Sequence, residues 1–305
     1  MIYAANIKNN VFDSVLDMIG NSPIIKLNNI NKKNNVNIYA KFEGNNPGGS
    51  IKDRIALQMI NEAEKNNILN KNKIILEATS GNTGIGLAMI AAIKGYKITL
   101  TMSKAVSEER KKILRAYGAK LILTDENKGT DGAIIKAKEI YEKNKNKYWY
   151  VNQFNNKNNV LAHYNGTANE IIQQIPNITH FISSLGTSGT LIGTSKRLKE
   201  FNKNIKIIAV EPNKNHKIQG LKNMNESIIP GIYNEKYFDK KILVEDNEAF
   251  KTTRLIAKKE GLLVGMSSGA AMYVLLKEIK KIKKGNLVVI FPDRGEKYLS
   301  TDLFN

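Results

Sequence analysis

The 305-residue chain is long enough for one elaborate domain or two smaller ones. It has only six prolines, and no Pro/Gly/Ser-rich stretch of the kind that links modules. It has no cysteine, which excludes disulfides, thiolate nucleophiles and cysteine-ligated metals. The formal net charge of +19 comes from lysine mixed with asparagine and isoleucine along the whole chain, so it predicts a solvated basic surface that attracts small anions, not a nucleic-acid site.

The opening segment MIYAANIKNN lacks the basic and apolar regions of a signal peptide. No apolar run approaches the length that crosses a membrane. Together with the absence of cysteine, these features predict a cytoplasmic protein with no membrane partner and no metal.

Short apolar runs typical of β-strands alternate with helical patterns along the chain. The β-type runs lie at 74–77, 97–102, 121–124, 180–184, 205–212 and 286–293. Runs that are apolar on both faces and separated by helices indicate parallel sheets covered by helices. The predicted fold class is therefore α/β, with two doubly wound lobes, parallel-rich sheets and a cleft between them.

Three loops rich in glycine and hydroxyl side chains, at 77–84, 185–190 and 265–271, each precede a helical pattern. In doubly wound folds such loops form the ligand site, and a helix N-terminus favours an anion. Each loop alone also fits a plain turn with a helix cap. None matches the P-loop or the dinucleotide fingerprint, which disfavours a nucleotide and leaves a small phosphorylated ligand.

The stretch NNPGGSIKDR, at 45–54, places Lys52 where a tight turn becomes a helix. Apolar residues that recur every four positions predict that the helix anchors this turn to the core. We interpret the next two residues, Asp53 and Arg54, as a structural ion pair. The apolar residues of the predicted helix face are Ile51, Ile55, Met59 and Ala63.

The motifs together resemble the cysteine synthase (O-acetylserine sulfhydrylase) family. The chain carries NNPGGSIKDR, EATSGNTGIGLAMIAAIKGY, NQFNN with AHY, GTSGT, EP, HKIQG, SSGAA and RGEKYLST in the family's order and approximate spacing, essentially from end to end. EGNNP at 43–47 and the PGI segment are typical of the B-type enzymes, whereas HKIQG is typical of the A-type. The resemblance implies a fold type II enzyme, similar to the tryptophan synthase β subunit, that uses pyridoxal 5′-phosphate (PLP).

The resemblance also implies a domain division and cofactor contacts. Residues 45–152 would form a smaller lobe that closes over the substrate, and residues 1–44 with 153–305 a larger lobe that binds PLP. Lys52 would be the Schiff-base lysine and the catalytic base, Asn82 would contact the ring hydroxyl, and Ser267 the pyridine nitrogen. The residues implied around the cofactor phosphate are Gly186, Thr187, Ser188, Gly189 and Thr190, with Ser188 in place of a glycine seen in many relatives.

A further set of residues is implied in substrate binding. The substrate α-carboxylate would contact a loop on the smaller lobe and one glutamine, and a glycine on the larger lobe would also face the substrate. These residues are Thr79, Ser80, Thr83, Gln153 and Gly220.

The implied reaction is PLP-dependent β-replacement through an α-aminoacrylate intermediate, which forms cysteine from O-acetylserine and sulfide. An alternative uses L-cysteine as donor, releases hydrogen sulfide and forms lanthionine, cystathionine or serine. A serine/threonine dehydratase, a cystathionine β-synthase and a non-catalytic binding protein of the same fold also remain open. Lys222 is predicted to be a cation at the entrance for the sulfur nucleophile, and we expect a homodimer.

Overall fold

The computed structural model describes residues 11–79 and 81–305. The opening segment 1–10 and Ser80 lie outside these ranges. The prediction that the opening segment is no signal peptide and the predicted substrate contact of Ser80 therefore stay predictions.

In the described part of the chain the strands form two sheets, a larger one with the order β1-β2-β10-β7-β8-β9 and a smaller one with the order β5-β4-β3-β6. Strands β1 and β2 are antiparallel, and the other neighbouring pairs in these described sheets are parallel. The parallel-rich α/β class is therefore confirmed. The strands are β1 (Ile24–Lys26), β2 (Val36–Phe42), β3 (Ile74–Ala78), β4 (Ile98–Ser103), β5 (Lys120–Thr124), β6 (Tyr148–Tyr150), β7 (His180–Ser184), β8 (Lys206–Pro212), β9 (Lys240–Val244) and β10 (Gly285–Phe291).

The helices lie between the strands, and a π-helical turn, His163–Thr167, joins α5 to α6. No described helix is long and apolar enough to span a bilayer. The α-helices are α1 (Lys52–Lys65), α2 (Asn82–Lys94), α3 (Glu108–Ala116), α4 (Gly129–Lys143), α5 (Lys157–Ala162), α6 (Ala168–Gln174), α7 (Gly189–Phe201), α8 (Asp246–Glu260) and α9 (Met266–Glu278). Short 3₁₀ turns lie at Val15–Met18, Glu43–Asn45, Glu126–Lys128, Glu235–Tyr237, Ile279–Lys281, Gly295–Tyr298 and Asp302–Phe304.

Both sheets have hydrophobic cores on both faces. Helices α8 and α9 pack on one face of the larger sheet, where Met272 joins the core, and α7 packs on the other through Leu198. Helices α1 and α2 cover one face of the smaller sheet, and α4 covers the other through Ala133 and Ala137. Covering both faces explains why the central strands read as continuous apolar runs. The strands of the smaller sheet lie within 74–150, and the predicted lobe boundaries at 45 and 152 stay a prediction.

The predicted apolar face of α1 is confirmed, because each of its four residues is at most 4% exposed. The predicted Asp53–Arg54 ion pair is wrong. Arg54 contacts the carboxylates of Glu43 at 2.7 Å and Glu170 at 2.6 Å, whereas Asp53 accepts a hydrogen bond of 2.6 Å from the Gly48 amide. Consecutive helical residues point in different directions, so their side chains do not face each other.

Candidate active site

The turn before Lys52 is fixed from two sides. Its last residue, Ile51, donates its amide to the carbonyl of Pro292 at 2.8 Å, just beyond β10. Gly49 has a φ of +76°, a conformation that L side chains rarely adopt. The ammonium of Lys297 donates to the carbonyls of Gly48 at 2.9 Å and Gly49 at 3.3 Å. These contacts place the first residue of α1 at the carboxyl end of the larger sheet.

Lys52 lies partly buried at this point, and burial lowers the pKa of its ammonium. The carboxylates of Asp293 and Glu43 act in the opposite direction, because they favour the charged form. The net lowering increases the fraction of neutral amine near pH 7. A neutral lysine amine is both a nucleophile toward carbonyl groups and a base.

The loop from β7 to α7 forms a cradle with room for an anion but not for larger side chains. A Cβ atom on Gly189 would lie 1.9 Å from Oδ1 of Asn159, and one on Gly186 would lie 2.4 Å from the carbonyl oxygen of Gly220. Ser188 adopts a left-handed φ of +71°, and its buried hydroxyl has no hydrogen-bond partner among the described residues. The first N–H groups of α7 also lack intrahelical partners, as at any helix start.

A layer of neutral polar groups supports this cradle from behind. Asn159 donates to the Thr187 hydroxyl at 3.1 Å, and the Thr190 hydroxyl lies 3.2 Å from Nε2 of His163. Burial, followed by the cations of Lys52 and Arg54, holds the pKa of His163 well below its usual value. His163 is therefore neutral and does not contribute a charge to the cradle. The sequence motif AHY contained this histidine, but its role was not predicted.

The loop from β3 to α2 faces the same cavity. The Thr79 hydroxyl accepts the amides of Gly81 at 3.3 Å and Gly84 at 3.2 Å, which fixes the turn. Thr83 donates its hydroxyl to Oε1 of Gln153 at 2.8 Å. Thr79 and Thr83 are both buried residues that line this cavity.

Behind this loop, the amide group of Gln153 points into the protein. Its Nε2 donates to Oε1 of Glu77 at 3.3 Å and to the carbonyl of Ala78 at 3.0 Å. Burial raises the pKa of the Glu77 carboxyl to about 8, although the surrounding N–H donors lower it. In this arrangement both amide hydrogens of Gln153 are engaged, so a contact from Nε2 to a substrate carboxylate requires the side chain to turn.

The opposite end of the cavity contains a carboxylate that the sequence analysis missed. Asp293, 1% exposed, accepts hydrogen bonds from Asn82 at 2.7 Å and from the Tyr298 hydroxyl at 2.6 Å. Lys297 donates to the other end of the Asn82 amide at 3.0 Å. Asp293 lies two residues after the end of β10, and the rule that strand ends form the site of a doubly wound fold was a signal that could have identified it.

The predicted site residues converge on two adjoining cavities. Of the predicted residues in the cradle, Gly189 is not itself a lining residue, but its chain neighbours Ser188 and Thr190 line the second cavity. The first cavity is lined by Lys52, Thr79, Asn82, Thr83, Gln153, Gly186, Thr187 and Gly220, among others. The second is lined by Lys52, Asn82, Gly186, Thr187, Ser188, Thr190, Gly220 and Ser267, among others. The structure therefore brings together the predicted residues that it describes, and it adds Arg110 and Tyr298 to the walls.

Lys222 also lines the first cavity, but it is not the isolated cation that the sequence indicated. Its ammonium forms an ion pair of 2.9 Å with Asp131, a residue of α4. Asp131 is distant in sequence, and no motif pointed to it.

The arrangement fits PLP on structural grounds. The cradle at 186–190 offers glycines, an unpartnered hydroxyl and a helix start, which together suit a phosphate group. The second cavity continues from this cradle to Ser267, and it also contains the amine of Lys52. These groups are of the kinds that would contact the phosphate, the aldehyde and the ring of PLP.

Comparison with known proteins agrees with this geometry. A family described as "Pyridoxal-phosphate dependent enzyme" matches residues 15–293. The cysteine synthase of Aquifex aeolicus is 46% identical over 96% of this chain and 92% of its own length. Cysteine synthase B of Salmonella typhimurium is 43% identical over 94% of both chains.

A crystal structure described as a hydrogen sulfide-producing enzyme from Fusobacterium nucleatum is 45% identical and superposes with a TM-score of 0.90, over 95% of this chain and all of that one. These matches extend over nearly the whole chain and include both sheets. The chain belongs to the cysteine synthase family of pyridoxal-phosphate-dependent enzymes.

Proposed function

We propose that the protein forms cysteine and acetate from O-acetylserine and sulfide. The observation that carries the proposal is the position of Lys52 in cavities lined by both the cradle at 186–190 and the hydroxyl-bearing residues Thr79 and Thr83. A lysine amine, a phosphate site and a site for an amino-acid carboxylate are the three groups that PLP-dependent β-replacement needs. The names of the relatives from Aquifex and Salmonella support the same reaction.

The residues of the cavity walls support a set of cofactor contacts. The cradle would hold the phosphate through Ser188, the glycines beside it and the start of α7. Lys52 would hold the aldehyde end through its amine, with Asn82 and Ser267 toward the ring. When bound, PLP withdraws electrons and so allows a proton to leave the substrate Cα.

The protein's own groups supply the proton transfer and the orientation of the substrate. The Lys52 amine would accept the proton from the substrate Cα, and its lowered pKa favours the required neutral form. Thr79, Thr83 and Gln153 orient the α-carboxylate, together with Ser80 as the sequence predicts. Gly220, which also lines this cavity and has no side chain, would leave room for the substrate side chain.

A second candidate reaction uses L-cysteine as the donor. Sulfide then leaves Cβ, and a second thiol or water takes its place, giving lanthionine, cystathionine or serine. The Fusobacterium neighbour is described as a hydrogen sulfide-producing enzyme, which supports this second reaction. The same cavity serves both reactions, because the two donors share the amino-acid end that the site binds.

We also propose that the enzyme works as a homodimer in the cytoplasm. The small amino acid and the sulfur nucleophile are its partners in this proposal. No nucleic-acid or membrane partner is proposed, because lysine is spread along the sequence without a recognisable binding motif.

Lys52→Ala tests the function directly. We expect purified wild-type protein to be yellow, to be labelled covalently by borohydride at Lys52, and to form cysteine from O-acetylserine and sulfide. In Lys52→Ala the covalent label should be lost and the rate of cysteine formation should fall at least about 1,000-fold, because the substitution removes both the covalent link and the base. Mass spectrometry of the labelled peptide and of the products measures both.

The matched control is Lys65→Ala, at the exposed far end of the same helix, which should retain colour, label and rate. A colourless wild-type protein that borohydride does not label would contradict the cofactor site. Pyruvate or serine as the main product from both O-acetylserine with sulfide and cysteine alone would contradict sulfur transfer.

A further inference from the structure

An ion pair at the cavity mouth joins segments that pack on different sheets. Lys222, in the loop after β8, extends its ammonium to within 2.9 Å of Oδ1 of Asp131, on α4. The Lys222 side chain is only 8% exposed, whereas that of Asp131 is 33% exposed. The lysine is thus enclosed, and its carboxylate partner keeps access to water.

Each of the two carboxylate oxygens of Asp131 accepts a hydrogen bond at this position, so the position is a binding site for a carboxylate. While Oδ1 of Asp131 accepts from Lys222, its Oδ2 accepts the amide of Ile228 at 3.1 Å. The ammonium of Lys222 also lies 5.1 Å from the ring centre of Phe154, a favourable distance for a cation–π contact. A carboxylate seated here gains one charged and one neutral donor.

Both residues of this ion pair line a cavity of about 420 Å³, and we call it the vestibule. It lies within the size range of sites for small molecules. Arg110, Thr130, Gly220 and Lys222 line both the vestibule and the first cavity, where Lys52 lies. The vestibule therefore adjoins the cavity that contains Lys52.

We propose that Lys222 binds the carboxylate of a thiol-bearing second substrate, and that Asp131 occupies this place until the substrate arrives. The inference rests on the proposed function and names the class of nucleophile. Exchange of one carboxylate for another keeps the enclosed ammonium paired throughout, so the large cost of leaving a buried charge without a partner is avoided. Asp131 can leave at low cost because its side chain is already partly hydrated.

The step is balanced without an oxidant or reductant. The thiol sulfur forms a bond to Cβ of the O-acetylserine-derived substrate, the bond from Cβ to the acetate oxygen breaks, and the thiol proton is released to solvent. The products are an S-substituted cysteine and acetate. Hydrosulfide has no carboxylate and reacts without this contact.

Two small thiols isolate the contact, 3-mercaptopropionate with a carboxylate and 2-mercaptoethanol with a hydroxyl in its place. With O-acetylserine as donor, the measured quantity is kcat/KM for the first thiol divided by kcat/KM for the second. Lys222→Met should lower this ratio at least 10-fold. Asp131→Asn should raise it by several-fold, because a neutral amide competes less with the incoming carboxylate. Inhibition of the 2-mercaptoethanol reaction by propionate should change in the same directions.

Lys136→Met is the matched control, since it removes an exposed lysine of α4 away from the vestibule and should leave the ratio unchanged. If wild type and Lys222→Met give the same ratio, the proposal is overturned. Should Lys222→Met not fold, an unchanged or lowered ratio in Asp131→Asn overturns it instead. If wild type does not form cysteine from sulfide, the proposed function is overturned. This outcome is distinguishable because the sulfide assay is separate from the ratio of kcat/KM for the two thiols.

Discussion

At the scale of single residues, Glu77 is a fully buried carboxyl, and no basic side chain among the described residues donates a hydrogen bond to it. It receives the amides of Ala78 at 2.9 Å and Gln153 at 3.2 Å, in addition to the Gln153 side chain. Burial outweighs these donors and raises its pKa to about 8. The carboxyl therefore binds a proton more tightly in the folded protein than in the unfolded chain.

This shift gives a pH dependence with a definite sign. Between the unfolded pKa near 4.5 and the folded pKa near 8, the folded state holds more protons, so stability falls as pH rises. Relative to Glu77→Gln, wild type should lose up to about 1.4 kcal/mol of unfolding free energy per pH unit in this interval. Urea unfolding of both proteins from pH 5 to pH 8 measures the difference.

Titration of Asp53, whose pKa burial raises to about 7, occurs in both proteins and cancels from the comparison. A difference between wild type and Glu77→Gln that stays constant with pH would show that Glu77 is ionised throughout. The part of the difference in unfolding free energy that does not change with pH measures the Glu77 hydrogen bonds. Its slope with pH measures the proton that Glu77 binds on folding.

Residues such as Lys52, Ser188 and Ser267 could be located from the sequence because each lies in a short motif whose local geometry suits one chemical group. Asp131 could not, because its partner Lys222 is 91 residues away and the pair exists only after two sheets have packed. The Arg54 contacts to Glu43 and Glu170 were missed for the same reason. Local motifs predict which residues line a cavity better than they predict pairs of charges.

At the scale of secondary structure, the six predicted β-runs correspond to β3, β4, β5, β7, β8 and β10. Strands β1 and β6 have only three residues each, too few to show a period, and β9 lies at a sheet edge with mostly exposed side chains. Strand β2 is long and largely buried, yet it alternates lysine and asparagine with apolar residues and was missed. Strands with a continuous apolar run could be predicted, including β5 at the edge of the smaller sheet, whereas the very short strands, the mixed strand β2 and the edge strand β9 could not.

The turn at 46–51 is the element on which the site depends most. Gly49 has φ at +76°, and a Cβ atom there would lie 3.2 Å from the ammonium of Lys297. That ammonium donates to the turn carbonyls and to Asn82, so a shift would move the start of α1 and one predicted cofactor contact together.

Gly49→Ala should therefore reduce catalysis beyond its effect on stability. Left-handed backbone at alanine costs about 1–2 kcal/mol, and displacement of Lys52 should lower kcat/KM by about 10- to 100-fold. Thermal unfolding and steady-state rates with O-acetylserine and sulfide measure the two effects.

Gly118→Ala is the matched control, since Gly118 has φ at +80° with no atom within 4 Å of an added Cβ. It should show a similar loss of stability with unchanged kcat/KM. Equal losses of activity in the two variants would mean that the turn at 46–51 does not position Lys52.

At the scale of the whole molecule, the excess of 19 positive charges acts on every anion that approaches the protein. The sequence predicts this field but not its direction, because lysines are spread along the chain. In the structure Arg110 and Lys222 line the first cavity, and Lys217 adds a further basic residue to the vestibule walls. The carboxylates of Glu126 and Asp131 in the vestibule offset part of this charge locally. The long-range field of the molecule and the charges that line the first cavity and the vestibule thus both favour an anionic nucleophile.

Salt should therefore slow the reaction with an anion more than the reaction with a neutral thiol. Raising ionic strength from about 0.01 M to about 0.1 M shortens the screening length from about 30 Å to about 10 Å, so that distant lysines no longer act at the cavity. We expect kcat/KM for hydrosulfide to fall several-fold over this range, with kcat nearly constant because the bound state is unaffected. The value for 2-mercaptoethanol, assayed at a pH where the thiol is neutral, should change little. Equal salt dependence for the two nucleophiles would show that the basic surface does not guide the substrate, and that only groups within the cavity select it.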